Sequence, residues 1–393
     1  MSTGSVARPI ATVLRGASTC LAAPVASTSR SLISGSAPLA PIRPVPLERA
    51  CGCSGGIRGA RGYSSYPSEK PAALDAPPLR KKRTLLDIQA LKRKRIPITM
   101  LTAHDYPSGR FIEAASLPPS PSSSTSSPSQ RRGIDICLVG DSLAMVACGY
   151  TSTTSLTLDE LLYHCRSVAR GCLTSLLVAD LPFGTYYASV ADGVKNAIRL
   201  VQEGNMDAVK IEGGTEIVPL VEHLTRVGIP VMAHVGLTPQ RQASLGGYRV
   251  QGKTVASALK VLGDAQALEK AGAFAVVLEA VPSELAAFVT QQLKIPTIGI
   301  GAGSSTDGQV LVQLDMLGVN ASLGSSGTGP RFVKRFGVMG EMATRGISEY
   351  VEEVRERTFP EEGTHTYPMK EAEWEAFLKA VEGRDNGEGE TRG

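Results

Sequence analysis

The feature that most constrains the fold is a series of short apolar runs, most of which end abruptly in polar or charged residues. Runs of this kind, bounded by Gly and Pro and rich in β-branched residues, predict strands that are buried on both faces. A carboxylate has no place inside such a strand, so its position at the strand end calls for an explanation. The runs lie at 96–105, 134–142, 175–184, 207–214, 229–237, 273–282 and 295–303.

Amphipathic helical patterns separate these predicted strands. They lie at 157–171, 189–205, 216–228, 264–272 and 283–294. Regular alternation of strand and helix predicts a parallel sheet covered by helices. A weaker run at 313–320, counted as the last strand, brings the total to about eight units and favours a closed (β/α)₈ TIM barrel. The alternative is an open doubly wound sheet, which the lack of an early G-x-G-x-x-G after the first strand makes less favourable.

In a parallel barrel the carboxyl ends of all strands meet at one face, where the active site is built. The strand ends are therefore expected to surround one cavity with Asp141, Asp180, Lys210, Glu212, His234 and Glu279. Several acids in one cavity repel each other unless a cation lies among them. An all-oxygen ligand set is typical of Mg²⁺, and thiol or multiple-imidazole sets for zinc are missing at these positions.

Each strand-end residue suggests a role in such a site. Asp141 and Asp180 are the expected metal ligands, and Glu212 binds the metal directly or through water. Lys210 lies two residues before Glu212 on the same side of the strand, where it could bind a substrate carboxylate. Glu279 comes from a strand across the barrel and is the candidate general base. The hydroxyl of Ser142 is expected to donate a hydrogen bond to the substrate.

Every one of these residues also has a plain structural explanation. A strand-end Asp can cap the next helix, a Lys or Glu can be a solvated charge at the rim, and His234 can be a hydrogen-bonded core histidine. The joint pattern favours a site, because polar groups end about five neighbouring strands.

The motifs resemble those of the ketopantoate hydroxymethyltransferase family from about residue 85 to 368. The matching stretches are VGDSLAM (139–145), LLVADLPFG (176–184), VKIEGG (209–214), HVGLTPQ (234–240), GGYRVQGK (246–253), LEAVP (278–282), IGIGAGSSTDGQVLV (298–312) and RFVKRF (331–336). The resemblance implies a (β/α)₈ barrel of the Mg-enolate (phosphoenolpyruvate/pyruvate-like) superfamily. It also implies transfer of a hydroxymethyl group from 5,10-methylenetetrahydrofolate to 3-methyl-2-oxobutanoate (α-ketoisovalerate), forming ketopantoate for pantothenate and coenzyme A synthesis.

Carried over motif by motif, the resemblance implies three sets of site residues. The catalytic base is Glu279. The metal ligands are Asp141, Asp180 and Glu212, and the substrate-binding residues are Asp141, Ser142, Asp180 and Lys210.

Two other functions remain open at this point. One is another Mg-enolate barrel reaction of the phosphoenolpyruvate mutase or isocitrate lyase kind, although the Cys motif of those lyases is missing. The other is a non-catalytic barrel that serves as a scaffold. We expect small-molecule partners, namely the ketoacid and the folate, with no nucleic acid and no membrane. The resemblance implies a homo-oligomer.

The domain organisation follows from composition. Residues 1–65 contain seven Arg and one acid, Glu48, which is typical of a mitochondrial transit peptide. The alternative is a disordered tail that has no targeting function. We expect a Pro-rich linker at 66–84 and the catalytic barrel at 85–368. A low-complexity Ser/Pro insertion at 118–132 interrupts the barrel, and 369–393 is expected to form a helix and a polar tail.

Overall fold

Eight parallel strands close into a barrel in sequence order, with the first strand paired to the last. The structure is a computed structural model that describes residues 80–116, 133–320 and 330–387, with side chains to residue 384. The predicted barrel is therefore confirmed, and the open doubly wound sheet is wrong. The strands are β1 Ile98–Thr102, β2 Ile136–Val139, β3 Leu176–Asp180, β4 Ala208–Glu212, β5 Val231–Gly236, β6 Ala275–Glu279, β7 Thr297–Ile300 and β8 Gly308–Leu311.

Helices follow most strands and cover the outside of the barrel. The side chain of the residue just before the helix stabilises several of them. Thr157 accepts a hydrogen bond from Glu160 N, and Ser189 accepts one from Asp192 N, as expected of N-caps. The helices are α1 Leu85–Arg93, α2 Tyr106–Ala115, α3 Leu143–Val146, α4 Leu158–Gly171, α5 Val190–Gln202, α6 Val218–Arg226, α7 Gln242–Leu245, α8 Val255–Lys270, α9 Ser283–Gln292, α10 Gln313–Met316, α11 Met339–Glu356 and α12 Glu371–Gly387.

Two apolar clusters stabilise the barrel, one on each side of the sheet. Successive strand residues point to opposite faces, so neighbouring residues belong to different clusters and every second residue belongs to the same one. In β2, Ile136 and Leu138 pack inside with α1 residues, whereas Cys137 and Val139 pack outside against the helices. This alternation decides which strand-end side chains can enter the barrel.

The location predicted for the eighth strand was wrong. Residues 313–316 form the short helix α10, and β8 lies just before it at Gly308–Leu311. The strand contains a glycine because a Cβ at position 308 would lie 2.5 Å from the carbonyl oxygen of Ile98 on β1. Gln309 on its outer face is exposed, so the strand lacks the continuous apolar run by which the others were recognised.

Several predicted segments lie outside the described residues. These are the transit peptide at 1–65, most of the linker at 66–84 and the insertion at 118–132. Within 369–393, helix α12 runs to Gly387, beyond residue 380 where the sequence becomes strongly polar. Among the described helices, none is both long enough and apolar enough to cross a membrane.

Candidate active site

A cavity of about 130 Å³ lies at the carboxyl end of the barrel strands. All seven residues that the sequence pattern assigned to the site line this cavity, although they come from four strands and a loop. They are Asp141, Ser142, Asp180, Lys210, Glu212, His234 and Glu279.

Strand alternation explains why these side chains point inward. In β3, Leu176 and Val178 pack inside the barrel, and Asp180 continues the same face two residues later. In β4, Ala208 packs inside, and Lys210 and Glu212 follow at the same spacing. The interior is apolar at its amino end and polar at its carboxyl end because each strand carries both kinds of residue on one face.

Asp180 is the most strongly connected carboxylate in the cavity. One oxygen lies 2.7 Å from the ammonium nitrogen of Lys210, its register partner on the adjacent strand. The other oxygen accepts a hydrogen bond of 2.9 Å from the backbone N–H of Asp141. Both members of the ion pair are almost completely buried. The first contact brings a cation beside the acids, and the second fixes the loop that carries Asp141.

His234 lies between two carboxylates. Its Nδ1 is 3.6 Å from an oxygen of Glu212, and its Nε2 is 3.4 Å from an oxygen of Glu279. Neither ring nitrogen makes a hydrogen bond to a described residue, although the side chain is 1% exposed. The side chain of Glu279 keeps 14% of its surface exposed at the cavity wall, so its carboxylate can meet a bound molecule.

The excess of acids changes the protonation of the cavity. Burial, reinforced by Asp180, raises the pKa of Asp141 to about 7, while Lys210 and a hydrogen bond from Gln240 oppose the shift. Burial and Asp141 raise the pKa of Glu212 well above its usual range. Burial disfavours the charge of Lys210, yet Asp180 and Glu212 outweigh it and raise the pKa of the ammonium group. Burial and Lys210 lower the pKa of His234.

The chemistry of these donors fits a divalent cation. Asp141, Asp180 and Glu212 are buried oxygen donors, and their shared charge is one that Mg²⁺ would balance. The side chains are not preformed around a single point: in the described part of the chain, no three His, Cys, Asp or Glu side chains form a ready metal cluster. Lys210 contacts one oxygen of Asp180, so ligation by that oxygen requires the two side chains to separate.

Sequence reasoning missed Gln240, which the structure places among the carboxylates. Its side-chain amide donates a 2.8 Å hydrogen bond to Asp141, and its backbone N–H donates one of 3.1 Å to Glu212. The buried hydroxyl of Thr153 and the half-buried carboxylate of Asp315 also line the cavity. These residues lie in loops and in short helices, where no sequence periodicity marks a buried polar group.

Another strand-end pair, His104-Asp105 after β1, is not part of the cavity lining. Asp105 caps α2 by accepting a hydrogen bond of 2.8 Å from Ser108 N. Asp105 is therefore a helix cap, the structural role that a strand-end Asp can have.

A larger groove of about 630 Å³ lies on the outer surface over α5. Its lining combines Val190, Val194 and Ile198 with Lys195, Arg199 and His223. No acid lines it, so it lacks the oxygen donors on which a metal or a proton transfer from carbon would depend. The smaller cavity inside the barrel is therefore the candidate active site.

Comparison with known proteins agrees with the motifs around this cavity. Residues 122–362 match the family model of ketopantoate hydroxymethyltransferase. The chain is 48% identical over 303 residues to 3-methyl-2-oxobutanoate hydroxymethyltransferase of Emericella nidulans. The aligned region covers 77% of this chain and 81% of the relative. The chain is also 46% identical over 293 residues to the enzyme of that name from Bacillus thuringiensis, covering 74% of this chain and 96% of the relative.

Among solved structures, that of a phosphonopyruvate hydrolase aligns with a TM-score of 0.44 at 14% identity, over 77% of this chain and 99% of that one. The match of the family model and the identity to the two relatives decide the classification. This chain belongs to the ketopantoate hydroxymethyltransferase family.

Proposed function

We propose that this chain is an enzyme that transfers a hydroxymethyl group from 5,10-methylenetetrahydrofolate to 3-methyl-2-oxobutanoate, forming ketopantoate for pantothenate and coenzyme A synthesis. The two relatives are named for this activity, and the similarity covers most of their length. The observation that carries the proposal is the cavity itself, where three buried carboxylates, a buried lysine and a partly exposed glutamate meet at the carboxyl end of one barrel.

The binding roles follow from charge and position. Asp141, Asp180 and Glu212 would hold Mg²⁺, as the three buried oxygen donors of the cavity. The ammonium group of Lys210 would pair with the carboxylate of the ketoacid after leaving Asp180. The hydroxyl of Ser142, which caps no backbone group of α3, would donate a hydrogen bond to the same substrate.

The reaction requires removal of a proton from the carbon next to the ketone. Glu279 would take this proton, because among the four carboxylates at the ends of β2 to β6 it is the one that is not engaged by Lys210 or Gln240. A bound Mg²⁺ supplies positive charge that offsets the negative charge developing on the ketoacid as the proton leaves. The carbon left behind is nucleophilic and would form a C–C bond to the one-carbon unit of the folate. Water supplies the hydroxyl oxygen, and the two C–N bonds of that unit break to release tetrahydrofolate. His234, whose Nε2 lies 3.4 Å from an oxygen of Glu279, would limit the movement of this carboxylate.

An assay of residues 66–393, purified without the N-terminal segment, tests this function. With 3-methyl-2-oxobutanoate, 5,10-methylenetetrahydrofolate and Mg²⁺, we expect formation of ketopantoate, detected by mass spectrometry. A chelator should stop the reaction. Omission of the folate should stop product formation but preserve exchange of the C3 proton with deuterated water. No product with all three components present would refute the proposal.

We propose further that the enzyme acts in the mitochondrion. The support is the composition of residues 1–65, which is rich in Arg and Ser and almost free of acids. Fused to a fluorescent reporter in a fungal cell, these residues should direct the reporter into mitochondria. The same fusion with Arg8, Arg15 and Arg30 each changed to Gln should import less, because the positive charge drives import. A cytosolic reporter from the unchanged fusion would contradict this location.

A further inference from the structure

Gln240 connects the ends of three neighbouring strands through its side chain and its backbone N–H. Its amide nitrogen donates hydrogen bonds of 2.8 Å to Asp141, beyond β2, and of 2.9 Å to the carbonyl oxygen of Leu181, beyond β3. Its backbone N–H donates one of 3.1 Å to Glu212, at the end of β4. The residue is 3% exposed, so these contacts are made away from bulk water.

The chemistry of the neighbours decides which way the amide of Gln240 faces. The carbonyl oxygen of Leu181 can only accept a hydrogen bond, so the group that faces it must be the NH₂ group. The amide oxygen then faces two phenols, Tyr186 at 2.7 Å and Tyr187 at 3.1 Å, which donate to it. The opposite orientation would bring acceptor against acceptor at both Asp141 and Leu181.

The surrounding structure restricts Gln240 to this one arrangement. Pro239 opens the short 3₁₀ turn at Pro239–Arg241 that carries it, and the proline ring limits the backbone there. The hydroxyl of Tyr186 also lies 3.0 Å from the backbone oxygen of Glu212, so its single hydrogen is shared between this oxygen and the amide oxygen of Gln240. Gln240 is thus held from both ends of its amide, and it holds one oxygen of Asp141 in turn.

We propose that Gln240 is a positioning residue that fixes the carboxylates of Asp141 and Glu212 for binding of the divalent metal and the ketoacid. This role rests on the proposed function. Gln240 occupies one oxygen of Asp141 with a neutral donor and leaves the other oxygen for the metal, and its N–H fixes an oxygen of Glu212. Hydrogen bonds of this kind orient metal ligands, and their removal weakens metal binding by about 10–100-fold.

The test compares Gln240→Met with the unchanged chain and with Gln242→Met. Gln242 is a matched control, because it lies two residues further on and donates to Ser152 at 3.0 Å, with no contact to a cavity carboxylate. Mn²⁺ would be titrated with 3-methyl-2-oxobutanoate present, and free Mn²⁺ would be measured by electron paramagnetic resonance. We expect Gln240→Met to weaken Mn²⁺ binding by about 10–100-fold and Gln242→Met to leave it unchanged.

Two further measurements separate positioning from folding. In the assay, Gln240→Met should raise the half-saturating Mg²⁺ concentration more than it lowers the rate at saturating Mg²⁺. A loss of folded protein would lower the rate at every concentration and leave the half-saturating value unchanged. Tyr186→Phe removes a donor to the amide oxygen without touching Asp141, and it should weaken Mn²⁺ binding in the same direction by a smaller factor.

The outcomes distinguish this role from the function on which it rests. If the unchanged chain shows no Mn²⁺ binding with the ketoacid, the proposed function is wrong and the role of Gln240 is wrong with it. If the unchanged chain binds Mn²⁺ and Gln240→Met binds it with equal affinity, only the positioning role is overturned.

Discussion

Glu279→Gln should bind 3-methyl-2-oxobutanoate with Mg²⁺ but lose exchange of the C3 proton with deuterated water by about 10²–10⁴-fold, the usual contribution of a positioned base. Glutamine keeps the size of the side chain at the end of β6 and removes the proton acceptor. The exchange requires no folate, so the measurement isolates the proton transfer from the later attack on the one-carbon unit. Exchange would be followed by nuclear magnetic resonance of the ketoacid, and binding by calorimetry.

A second variant decides between Glu279 and its neighbour. His234 lies 3.4 Å from Glu279 and is the other group that could take the proton. His234→Gln should retain most of the exchange if the imidazole only orients the carboxylate. Near-normal exchange in Glu279→Gln together with a large loss in His234→Gln would transfer the role of base to His234. A loss of ketoacid binding in Glu279→Gln would indicate a metal or structural role instead.

Asp180→Asn should reduce Mg²⁺-dependent binding of the ketoacid below detection by calorimetry, because it removes the negative charge of a proposed metal ligand. The amide oxygen can still accept a hydrogen bond from Lys210, although the NH₂ group then faces the backbone N–H of Asp141 and that hydrogen bond is lost. The variant still removes fewer contacts than Asp180→Ala. Alanine would leave Lys210 charged, buried and unpaired, and loss of one partner of a buried pair lowers the free energy of unfolding by about 3–5 kcal/mol. Asparagine therefore separates metal binding from folding better than alanine does.

The barrel contains a matched control at its opposite end. Asp135 precedes β2 and is buried, with 5% of its surface exposed against 2% for Asp180. It contacts Arg83 at 2.9 Å and accepts a hydrogen bond of 3.0 Å from Thr99 N. Asp135→Asn should lower the melting temperature comparably and leave ketoacid binding unchanged. Equal binding by Asp180→Asn and the unchanged chain would contradict the assignment of Asp180. Equal loss of binding in both variants would show that binding follows overall stability.

The strand order of the barrel and the position of its polar cavity were predictable because both depend on local patterns. Alternation of apolar runs with amphipathic helices specifies parallel strands, and parallel strands bring their carboxyl ends to one face. The two-residue period then orients Asp180, Lys210 and Glu212 into the interior, since they continue the faces of Val178 and Ala208. The eighth strand was not predicted, because its inward-facing glycine and outward-facing glutamine do not form an apolar run.

The sequence by itself determined the chemistry available at the strand ends, and only the tertiary structure decided how those groups meet. Lys210 contacts Asp180 because the parallel pairing of β3 with β4 brings these two residues into register. Gln240 reaches Asp141 across 99 residues of chain, through a loop whose own sequence shows no period. Contacts of this kind depend on how strands pack around a common axis, and no spacing along the chain encodes that distance.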